Sequence, residues 1–378
     1  MRLLAFAAAS FFSTLSFAAP QADTRKIEGW SRMDEFRAFH PVQKSAAPRE
    51  LKRAAPSPEL DAMLDAFLDA NANTGLLVLR GDTILAERYQ YARTERHRFA
   101  SASVAKTVLG MLVGIAVSEN KLSLDEKAEA YLPELKGHPY GGTTIRQLLT
   151  MSSGIDFTET YATRDEGTKL VANTLDRKTE GGVATVLEFR RRAAPAGTRF
   201  HYSSADSEVL GLVLIAAVKR PLAEYLAEKI WQPMGAEADA TWLVDKGGYE
   251  TGFCCINATL RDFARFGLLL ARYGELDGKQ IIPAGWVKAA TTPEAPHLQV
   301  GKATPNNGYG YQTWITSRGE PPHLPRFAAL GLFGQAVYVD AASRLVVVHT
   351  AVWADGNDRA ARGAQFRLWE NLLARYSQ

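Results

Sequence analysis

Ser103 and Lys106, in the segment Ser103-Val104-Ala105-Lys106, are the residues whose types and spacing could do chemistry together. Three residues apart on a helix, the two side chains share one face and can touch, so a primary amine can accept the proton of a hydroxyl. The pair would then be a nucleophile with its own base. If Ser103 lies in the first helical turn, unpaired backbone N–H groups also favour negative charge at its oxygen. The alternative is a capping serine followed one turn later by a solvated lysine.

The residues after Lys106 favour the chemical interpretation. No charged residue follows until Glu119, whereas a solvated helix face normally carries charge. Lys106 is therefore expected on a largely buried helix. Loss of hydration there favours the neutral, basic form of the amine.

Composition limits the classes of function. The chain has 378 residues, of which 46% are hydrophobic and 22% charged, as in a globular protein with a sizeable core. A net charge of +3 implies neither nucleic acid nor an acidic membrane surface as a partner. Glycine-rich phosphate loops, zinc-type histidine spacing and a Gly-x-Ser-x-Gly pentapeptide are absent, so no cofactor and no metal are expected. His201 and His349 are interpreted as structural.

The N-terminal residues indicate export. Met1-Arg2, the apolar stretch Leu3 to Phe17 and the small residues before Pro20 predict a signal peptide over residues 1–18, with a membrane anchor as the alternative. After cleavage we expect a periplasmic protein without stable membrane insertion. Residues 19–55, which are polar and interrupted by prolines, are predicted to form an extended arm. Residues 56–378 are predicted to form the folded domain.

Periodicity predicts helices at both ends and through the middle of this domain, and strands mainly near its ends. The predicted helices are Pro58 to Leu68 after a Ser57 cap, Thr144 to Gly154, Leu210 to Val218, Leu260 to Tyr273 and Arg362 to Tyr376. The predicted strands are Thr74 to Leu79, Thr83 to Tyr89, Gly310 to Thr316, Arg326 to Leu330, Gln335 to Asp340 and Arg344 to Ala351. This order predicts an α+β fold in which one antiparallel sheet, built from both termini, is flanked by helices. A helical domain is inserted at about residues 120–270, and a ligand cleft is expected at the seam.

The pair Asp262 and Arg265 and the two cysteines are interpreted as structural. Asp262 and Arg265 are placed on the polar side of their helix. Cys254 and Cys255 are adjacent, and adjacent cysteines rarely form a bridge because the connecting peptide must be strained. They are therefore interpreted as small buried residues.

A second element follows the turn Pro195-Ala196-Gly197 and precedes an apolar helix: Tyr202-Ser203-Ser204. With it, the chain resembles the β-lactamase-related serine hydrolases of the class C type, which include D-alanyl-D-alanine peptidases, esterases and 6-aminohexanoate-dimer hydrolases. The resemblance implies that Tyr202, at the Tyr of the family's Tyr-x-Asn, relays protons between Ser103, Lys106 and the leaving group. Ser204 replaces the Asn and is implied to contact substrate or the Lys106 region. Tyr-Ser-Ser is typical of the esterase and aminohexanoate-hydrolase branches.

The third element is Leu332-Phe333-Gly334-Gln335, where the family has Lys-Thr-Gly or His-x-Gly. The cation that helps β-lactamases recognise the substrate carboxylate is missing, which disfavours β-lactamase activity. The resemblance implies an oxyanion hole formed by the backbone N–H groups of Ser103 and Gln335, and close approach of substrate to Gly334. On local grounds alone, these glycines equally fit a plain turn.

Further segments resemble the family between about residues 60 and 375: Leu148 to Asp156, Thr259 to Gly267, Asn307 to Gln312 and Tyr338 to Asp340. Tyr161 corresponds to a tyrosine that reaches into the cleft in the aminohexanoate-hydrolase branch, and it fits a surface loop equally well. The sequence thus predicts a serine hydrolase that cleaves an ester or amide of a small molecule through an acyl-enzyme on Ser103. A D-Ala-D-Ala peptidase or β-lactamase is one alternative. A non-catalytic peptidoglycan- or ligand-binding module is another.

Overall fold

A computed structural model describes residues 24–161, 164–317 and 325–377. The predicted leader, residues 1–18, and the first residues of the predicted arm lie outside this part. The helices are α1 Thr24–Glu28, α2 Pro58–Asp69, α3 Val104–Ser118, α4 Ile145–Leu149, α5 Glu166–Thr174, α6 Ser204–Val218, α7 Leu222–Leu226, α8 Leu260–Ala271, α9 Ala284–Ala290 and α10 Arg359–Tyr376. The strands are β1 Phe39–Val42, β2 Lys52–Arg53, β3 Asn73–Arg80, β4 Thr83–Tyr89, β5 Phe99–Ala100, β6 Ala240–Leu243, β7 Ile256–Ala258, β8 Glu275–Leu276, β9 Lys279–Gln280, β10 Gly308–Tyr309, β11 Trp314–Ser317, β12 Arg326–Leu330, β13 Ala336–Asp340 and β14 Leu345–Ala351.

The main sheet joins the two ends of the domain. Its eight strands have the order β10-β11-β12-β13-β14-β3-β4-β2. All neighbours are antiparallel except β2, which runs parallel to β4. The N-terminal hairpin meets the C-terminal strands where β3 pairs with β14, with Leu77 opposite Val348. The predicted antiparallel sheet built from both termini is confirmed.

Alternation along β3 separates two cores, because successive side chains of a strand point to opposite faces. Leu76 and Val78 pack with α2 and α10 on one face, while Leu77 and Leu79 contribute to the larger core that contains α3 and α8. Helix α8 lies very close to the sheet. A Cβ added at Gly267 would come within 2.5 Å of a Val346 methyl carbon.

Helix α3 is the buried centre of the larger core. Every residue from Val104 to Ala116 is buried, as the uncharged sequence predicted. The indole of Trp286 packs on the helix at Gly114 and donates a hydrogen bond of 3.0 Å to the carbonyl of Gly110. The helix that carries Lys106 is therefore held on all sides rather than along one face.

Several predicted elements have the expected positions, including the Ser57 N-cap, the β3–β4 hairpin and strand β12. Three boundaries differ. Helix α4 ends at Leu149 rather than near Gly154, because the chain turns at Met151, where φ is +53°. Helix α6 begins at Ser204, before the predicted Leu210. The strand predicted from Gly310 begins only at Trp314, as β11, because a turn that contains Gln312 separates it from β10.

Two structural interpretations of the sequence were wrong. Asp262 and Arg265 are not on a solvated side of α8: both are buried, with Arg265 Nη1 2.9 Å from Asp262 Oδ1. Burial is tolerated because the charges are paired and the carboxylate also accepts the backbone N–H groups of Glu237 and Ala238. Cys254 and Cys255 form a disulfide, which the geometric argument against adjacent bridges had disfavoured.

The described part of the predicted arm contains short elements as well as extended backbone. Besides α1, a 3₁₀ helix spans Trp30–Glu35. Strand β1 pairs with β6 in a second, four-stranded sheet of order β1-β6-β7-β5. This sheet matters for the site because its edge strand β5 leads directly into Ser103. Within the described ranges, no helix combines the length and apolarity needed to cross a membrane.

Candidate active site

The position of Ser103 is set by the junction between β5 and α3. Ser101 N donates to the carbonyl of Ile256 at 2.8 Å, which ties the junction to β7. Ala102 has a positive φ of +45°, an unusual conformation for a residue with a Cβ. Ser103 follows as the N-cap of α3, and the first N–H groups of the helix donate back into this junction, from Val104 N to the Ser101 carbonyl at 3.1 Å and from Lys106 N to the Ser103 carbonyl at 3.0 Å. The expected placement of Ser103 at the first turn is therefore confirmed.

Lys106 lies one turn later and is almost entirely buried, with 1% of its surface exposed. Its Nζ lies 2.9 Å from Ser103 Oγ, 3.1 Å from Ser204 Oγ and 2.9 Å from the carbonyl oxygen of Phe253. Burial lowers the pKa of Lys106 to about 8, against the opposing influence of the carboxylates of Glu159 and Glu208. A substantial fraction of the amine is thus neutral near physiological pH, as a general base requires.

Tyr202 lies beside the same two groups. The chain before α6 is held against the α4 turn, with His201 N donating to the Met151 carbonyl at 2.8 Å. The Tyr202 side chain lines the same cavity as Ser103, and Lys106 Nζ is 5.0 Å from the ring centroid. Trp314 stacks on the ring at 5.2 Å with a 20° interplanar angle, which fixes its orientation.

The protonation states of Tyr202 and Lys106 divide their roles. Burial and, secondarily, the Glu159 carboxylate raise the pKa of Tyr202 far above its usual value, whereas the Ser103 hydrogen bond opposes this shift. The phenol therefore keeps its proton at neutral pH and can donate it. Lys106, whose pKa is lowered, is the better base of the two.

Ser204 joins the elements of the site. Its hydroxyl contacts Lys106 Nζ, and its backbone N–H donates to the carboxylate of Glu159. The residue itself is 1% exposed, so its hydroxyl lies beneath the cleft rather than on the cleft wall. The resemblance implied two roles for Ser204. The structure supports the contact with Lys106 and does not support direct contact with substrate.

Glu159 is the residue that sequence reasoning missed. Its Oε2 accepts the backbone N–H of Ser204 at 2.8 Å, and its carboxylate acts on the pKa of both Lys106 and Tyr202. Burial raises the pKa of Glu159 itself, although Lys106 opposes the shift. A signal was present in the sequence. Glu159 is two residues before Tyr161, and in an extended segment such residues face the same side.

Tyr161 lies at the cleft and not on an outer surface. It lines the same cavity as Ser103, Glu159 and Tyr202, and burial raises the pKa of its phenol well above the usual range. Its backbone has a φ of +57° and its N–H donates to Asp165 Oδ2 at 3.0 Å. Of the two interpretations left open by the sequence, the structure matches the cleft tyrosine.

The third element borders the nucleophile through Gly331. A Cβ at Gly331 would meet both the Ser101 carbonyl oxygen and the Ala102 Cβ at 2.8 Å, so the end of β12 packs directly on the chain before Ser103. Gly331 N donates to the Gln335 carbonyl at 2.8 Å. Gln335 is buried, and its side-chain amide donates to the Ala351 carbonyl at 2.7 Å. This side chain thus holds its own loop, and the backbone N–H of Gln335 makes a long hydrogen bond of 3.4 Å to the Leu332 carbonyl.

Gly334 occupies a different position from the one predicted. Its φ is +94°, and an added Cβ would meet the Trp353 indole and the Ala351 methyl carbon at 2.6–2.7 Å. Among the described residues, Gly331 and Leu332 line the cleft, and Gly334 does not. Inward packing and backbone conformation require glycine at position 334. The direct contact between Gly334 and substrate that the sequence predicted is not supported, because this residue does not line the cleft.

The cleft has a volume of about 920 Å³, which suits a small molecule. Its floor contains Ser103 and Glu159, and one wall is the exposed start of α10. From that wall Arg362 reaches the Gly331 carbonyl at 2.7 Å and Gln365 Oε1 at 2.7 Å, and its guanidinium lies 4.8 Å from the Trp353 ring centroid. These partners are all uncharged. Arg359 adds a second cation to the lining.

No three His, Cys, Asp or Glu side chains come together as a metal site in the described ranges. The Ser103 hydroxyl lies 2.9 Å from the amine of Lys106, and the cleft that it lines also contains the phenol of Tyr202, the carboxyl group of Glu159 and the guanidinium of Arg362.

Comparison with known proteins places this arrangement in a family. The model of the beta-lactamase family matches residues 60–368. The chain belongs to that family. It is 28% identical over 330 residues to the 6-aminohexanoate-dimer hydrolase of Paenarthrobacter ureafaciens, covering 82% of each chain.

Solved structures agree on the fold. A protein of Bacillus anthracis that is provisionally assigned as a 6-aminohexanoate-dimer hydrolase superposes with a TM-score of 0.79 at 23% identity, covering 98% of this chain and 100% of its own. A penicillin-binding protein of Bacillus halodurans superposes with a TM-score of 0.64 at 18% identity, covering 83% and 99%. The β-lactamase/transpeptidase-like fold predicted from the sequence is therefore confirmed, as is membership among these hydrolases.

Proposed function

We propose that this protein hydrolyses an amide or ester bond of a small substrate through an acyl-enzyme on Ser103. The observation that carries the proposal is the position of Ser103 Oγ, 2.9 Å from a buried amine whose pKa is lowered to about 8, in a cleft that the protonated phenol of Tyr202 also lines. A binding module has no need of a desolvated lysine, because an uncompensated buried cation costs stability.

The reaction proceeds in two balanced steps. In the first, Ser103 Oγ bonds to the substrate carbonyl carbon as its proton passes to Lys106 Nζ. Backbone N–H groups at Ser103 and Gln335 stabilise the oxyanion. The bond to the leaving nitrogen or oxygen then breaks as Tyr202 gives its proton to that atom, and Lys106 returns a proton to Tyr202. In the second step water bonds to the acyl carbon as one of its protons passes to Lys106 Nζ. The bond between the acyl carbon and Ser103 Oγ then breaks, Lys106 returns the proton to Oγ, and the acid leaves.

The cleft supports a substrate that carries a carboxylate. Arg362 lines the cleft with only uncharged partners, and a guanidinium pairs well with a carboxylate. The relative from P. ureafaciens is named for 6-aminohexanoate dimer, a linear amide with a free carboxylate. We therefore propose such an amide as the first substrate to test. D-Ala-D-Ala peptides and β-lactams also carry a carboxylate, so Arg362 supports them as a second candidate class of substrate. The segment Leu332-Phe333, however, lacks the cation that the family has at this position.

The first experiment combines covalent labelling and turnover. Wild-type protein is treated with a fluorophosphonate probe and then assayed with p-nitrophenyl esters, 6-aminohexanoate dimer, a D-Ala-D-Ala peptide and nitrocefin. Ser103→Ala, folded by circular dichroism, should neither label nor turn over any substrate. Lys106→Met should be nearly as inactive, because residues that act as a unit are not additive. Unchanged labelling in Ser103→Ala would end the proposal, and an unlabelled wild type would favour a binding module.

A second experiment tests the carboxylate. Arg362→Met should lower kcat/KM for carboxylate-bearing substrates about 10- to 100-fold, as expected for loss of a charged hydrogen bond, while neutral esters change little. Arg367→Met, on the same helix but outside the cleft lining, is the matched control. Equal losses on charged and neutral substrates would remove the assigned role of Arg362.

We also propose export to the periplasm, supported by the apolar sequence of residues 1–18. Cell fractionation of the full chain should recover it in the periplasm. Deletion of residues 2–18 should retain it in the cytoplasm, and identical fractionation of both forms would contradict the proposal.

A further inference from the structure

The disulfide between Cys254 and Cys255 lies between two contacts to the catalytic residues. On one side, the carbonyl oxygen of Phe253 lies 2.9 Å from Lys106 Nζ. On the other, the carbonyl of Ile256 accepts the N–H of Ser101 at 2.8 Å, two residues before the nucleophile. The segment 253–256 thus reaches both the base and the chain that carries Ser103, with the bridged pair as its middle.

Hydrogen bonds from neighbouring residues hold the backbone of Cys254 and Cys255 in place. The Cys254 carbonyl accepts the Trp242 indole N–H at 3.1 Å and the Thr251 hydroxyl at 3.2 Å, and the Cys255 carbonyl accepts Leu243 N at 3.1 Å. Cys255 has a φ of +78°, in the left-handed region that costs energy for residues with a Cβ. The covalent link between neighbouring side chains restricts the backbone at both residues. It therefore helps hold this conformation and the direction of the preceding carbonyl.

Two ordinary roles for a disulfide do not suit this pair. Bridging adjacent residues closes a very small ring, and the stabilisation that a disulfide gives by restricting the unfolded chain is smaller for a shorter loop. A role in thiol catalysis needs an accessible thiolate, whereas Cys254 and Cys255 are 5% and 0% exposed. A local conformational role is what remains.

We propose that the Cys254–Cys255 disulfide is a positioning device, which fixes the Phe253 carbonyl against Lys106 Nζ and so holds the base in line with Ser103. The inference rests on the proposed function, because it assigns Lys106 as the base. Reduction by a dithiol would transfer two electrons and two protons: the S–S bond breaks, two cysteine thiols form, and the dithiol becomes a disulfide. With the link broken, the peptide at Cys255 can leave the left-handed region, and the carbonyl of Phe253 turns with it.

The test compares oxidised and reduced full-length protein. Thiol titration under denaturing conditions first establishes no free thiols in the oxidised form and two after dithiothreitol. Reduction should lower kcat about tenfold with KM within about twofold, and should displace the limb of the pH–kcat profile that reports Lys106. The double variant Cys254→Ser with Cys255→Ser should reproduce both effects without reductant.

A stability control separates positioning from general weakening. Leu64→Ala, in the core on the opposite face of the sheet, should lower the melting temperature by leaving a cavity, while the pH profile stays in place. An unchanged kcat and pH profile in verified reduced protein would overturn the inference, as would two free thiols in the protein as purified. In either case fluorophosphonate labelling of Ser103 still reports the proposed function separately. If the oxidised wild type fails to label, the proposed function and this inference fall together.

Discussion

Replacing Glu159 by glutamine tests the electrostatics of the site. Glu159→Gln removes an anion beside Lys106 but leaves an amide oxygen that can still accept the Ser204 N–H. Glu159 is the leading group that raises the pKa of Lys106 against the effect of burial. Without this anion, the pKa of Lys106 should fall below its value of about 8.

The size of the effect follows from the fraction of neutral amine. A neighbouring opposite charge shifts a pKa by about 1–3 units, and one unit corresponds to about 1.4 kcal/mol. At pH 7 a fall of Lys106 from about 8 to about 7 would raise the neutral fraction from about one tenth to about one half. A weaker base also transfers protons less well, so the plateau rate should fall.

The assay is the pH dependence of kcat/KM between about pH 5 and about pH 10. Activity needs the neutral amine and therefore rises as pH passes through the pKa of Lys106. In wild type this rise should be centred near pH 8, and in Glu159→Gln about one unit lower with a reduced plateau. The phenols of Tyr161 and Tyr202 stay protonated over most of this range, because burial raises the pKa of both.

Glu208→Gln is the matched control. Glu208 also raises the pKa of Lys106, but burial raises the pKa of Glu208 itself to about 8. Glu208 is therefore mostly uncharged at neutral pH. Replacing it should shift the rising limb of the pH profile of kcat/KM less than replacing Glu159 does. A limb that stays in place or moves upward in Glu159→Gln would refute the assignment of Lys106 as the titrating base.

Two further substitutions test the supports of the site. Arg265→Met should destabilise the protein by about 3–5 kcal/mol in urea unfolding, because it leaves the carboxylate of Asp262 buried without its cation. A loss of stability below about 1 kcal/mol would mean that Asp262 becomes protonated at little cost. Gly334→Ala should lower both the melting temperature and kcat, since φ is +94° and the added Cβ meets Trp353. Gly285→Ala, in α9 with open space around its Cα, should be neutral or slightly stabilising, and equal effects of the two glycine variants would contradict the packing argument.

Local sequence was sufficient where neighbouring residues decide the outcome. Helical spacing brings Ser103 and Lys106 together, and the uncharged run after Lys106 indicated its burial. Strand periodicity located β3, β4 and β12 because each carries its own pattern of buried side chains. The Ser57 cap likewise depends only on the first turn of its helix.

Long-range contacts account for the features of the structure that the sequence patterns did not predict. Asp262 and Arg265 have the spacing of a solvated ion pair, and only packing of α8 between the sheet and the Glu237 segment buries them. The breaks at Met151 and Gln312 arise because these turns hold each other: Gln312 N donates to the Leu149 carbonyl at 3.0 Å. Sequence patterns within one element contain no information about such partners.

The sequence by itself determined that Ser103 and Lys106 lie together, the order of helices and strands, and the family to which the chain belongs, because each depends on residues close together or on motifs in a fixed order. Tertiary structure alone decided how the site works. It buries Lys106 and so lowers its pKa, and it brings Glu159 to Ser204 across 45 residues. It also places Arg362 of the last helix in the cleft. Desolvation and charge act through space, and the distances that set them exist only after the chain has folded.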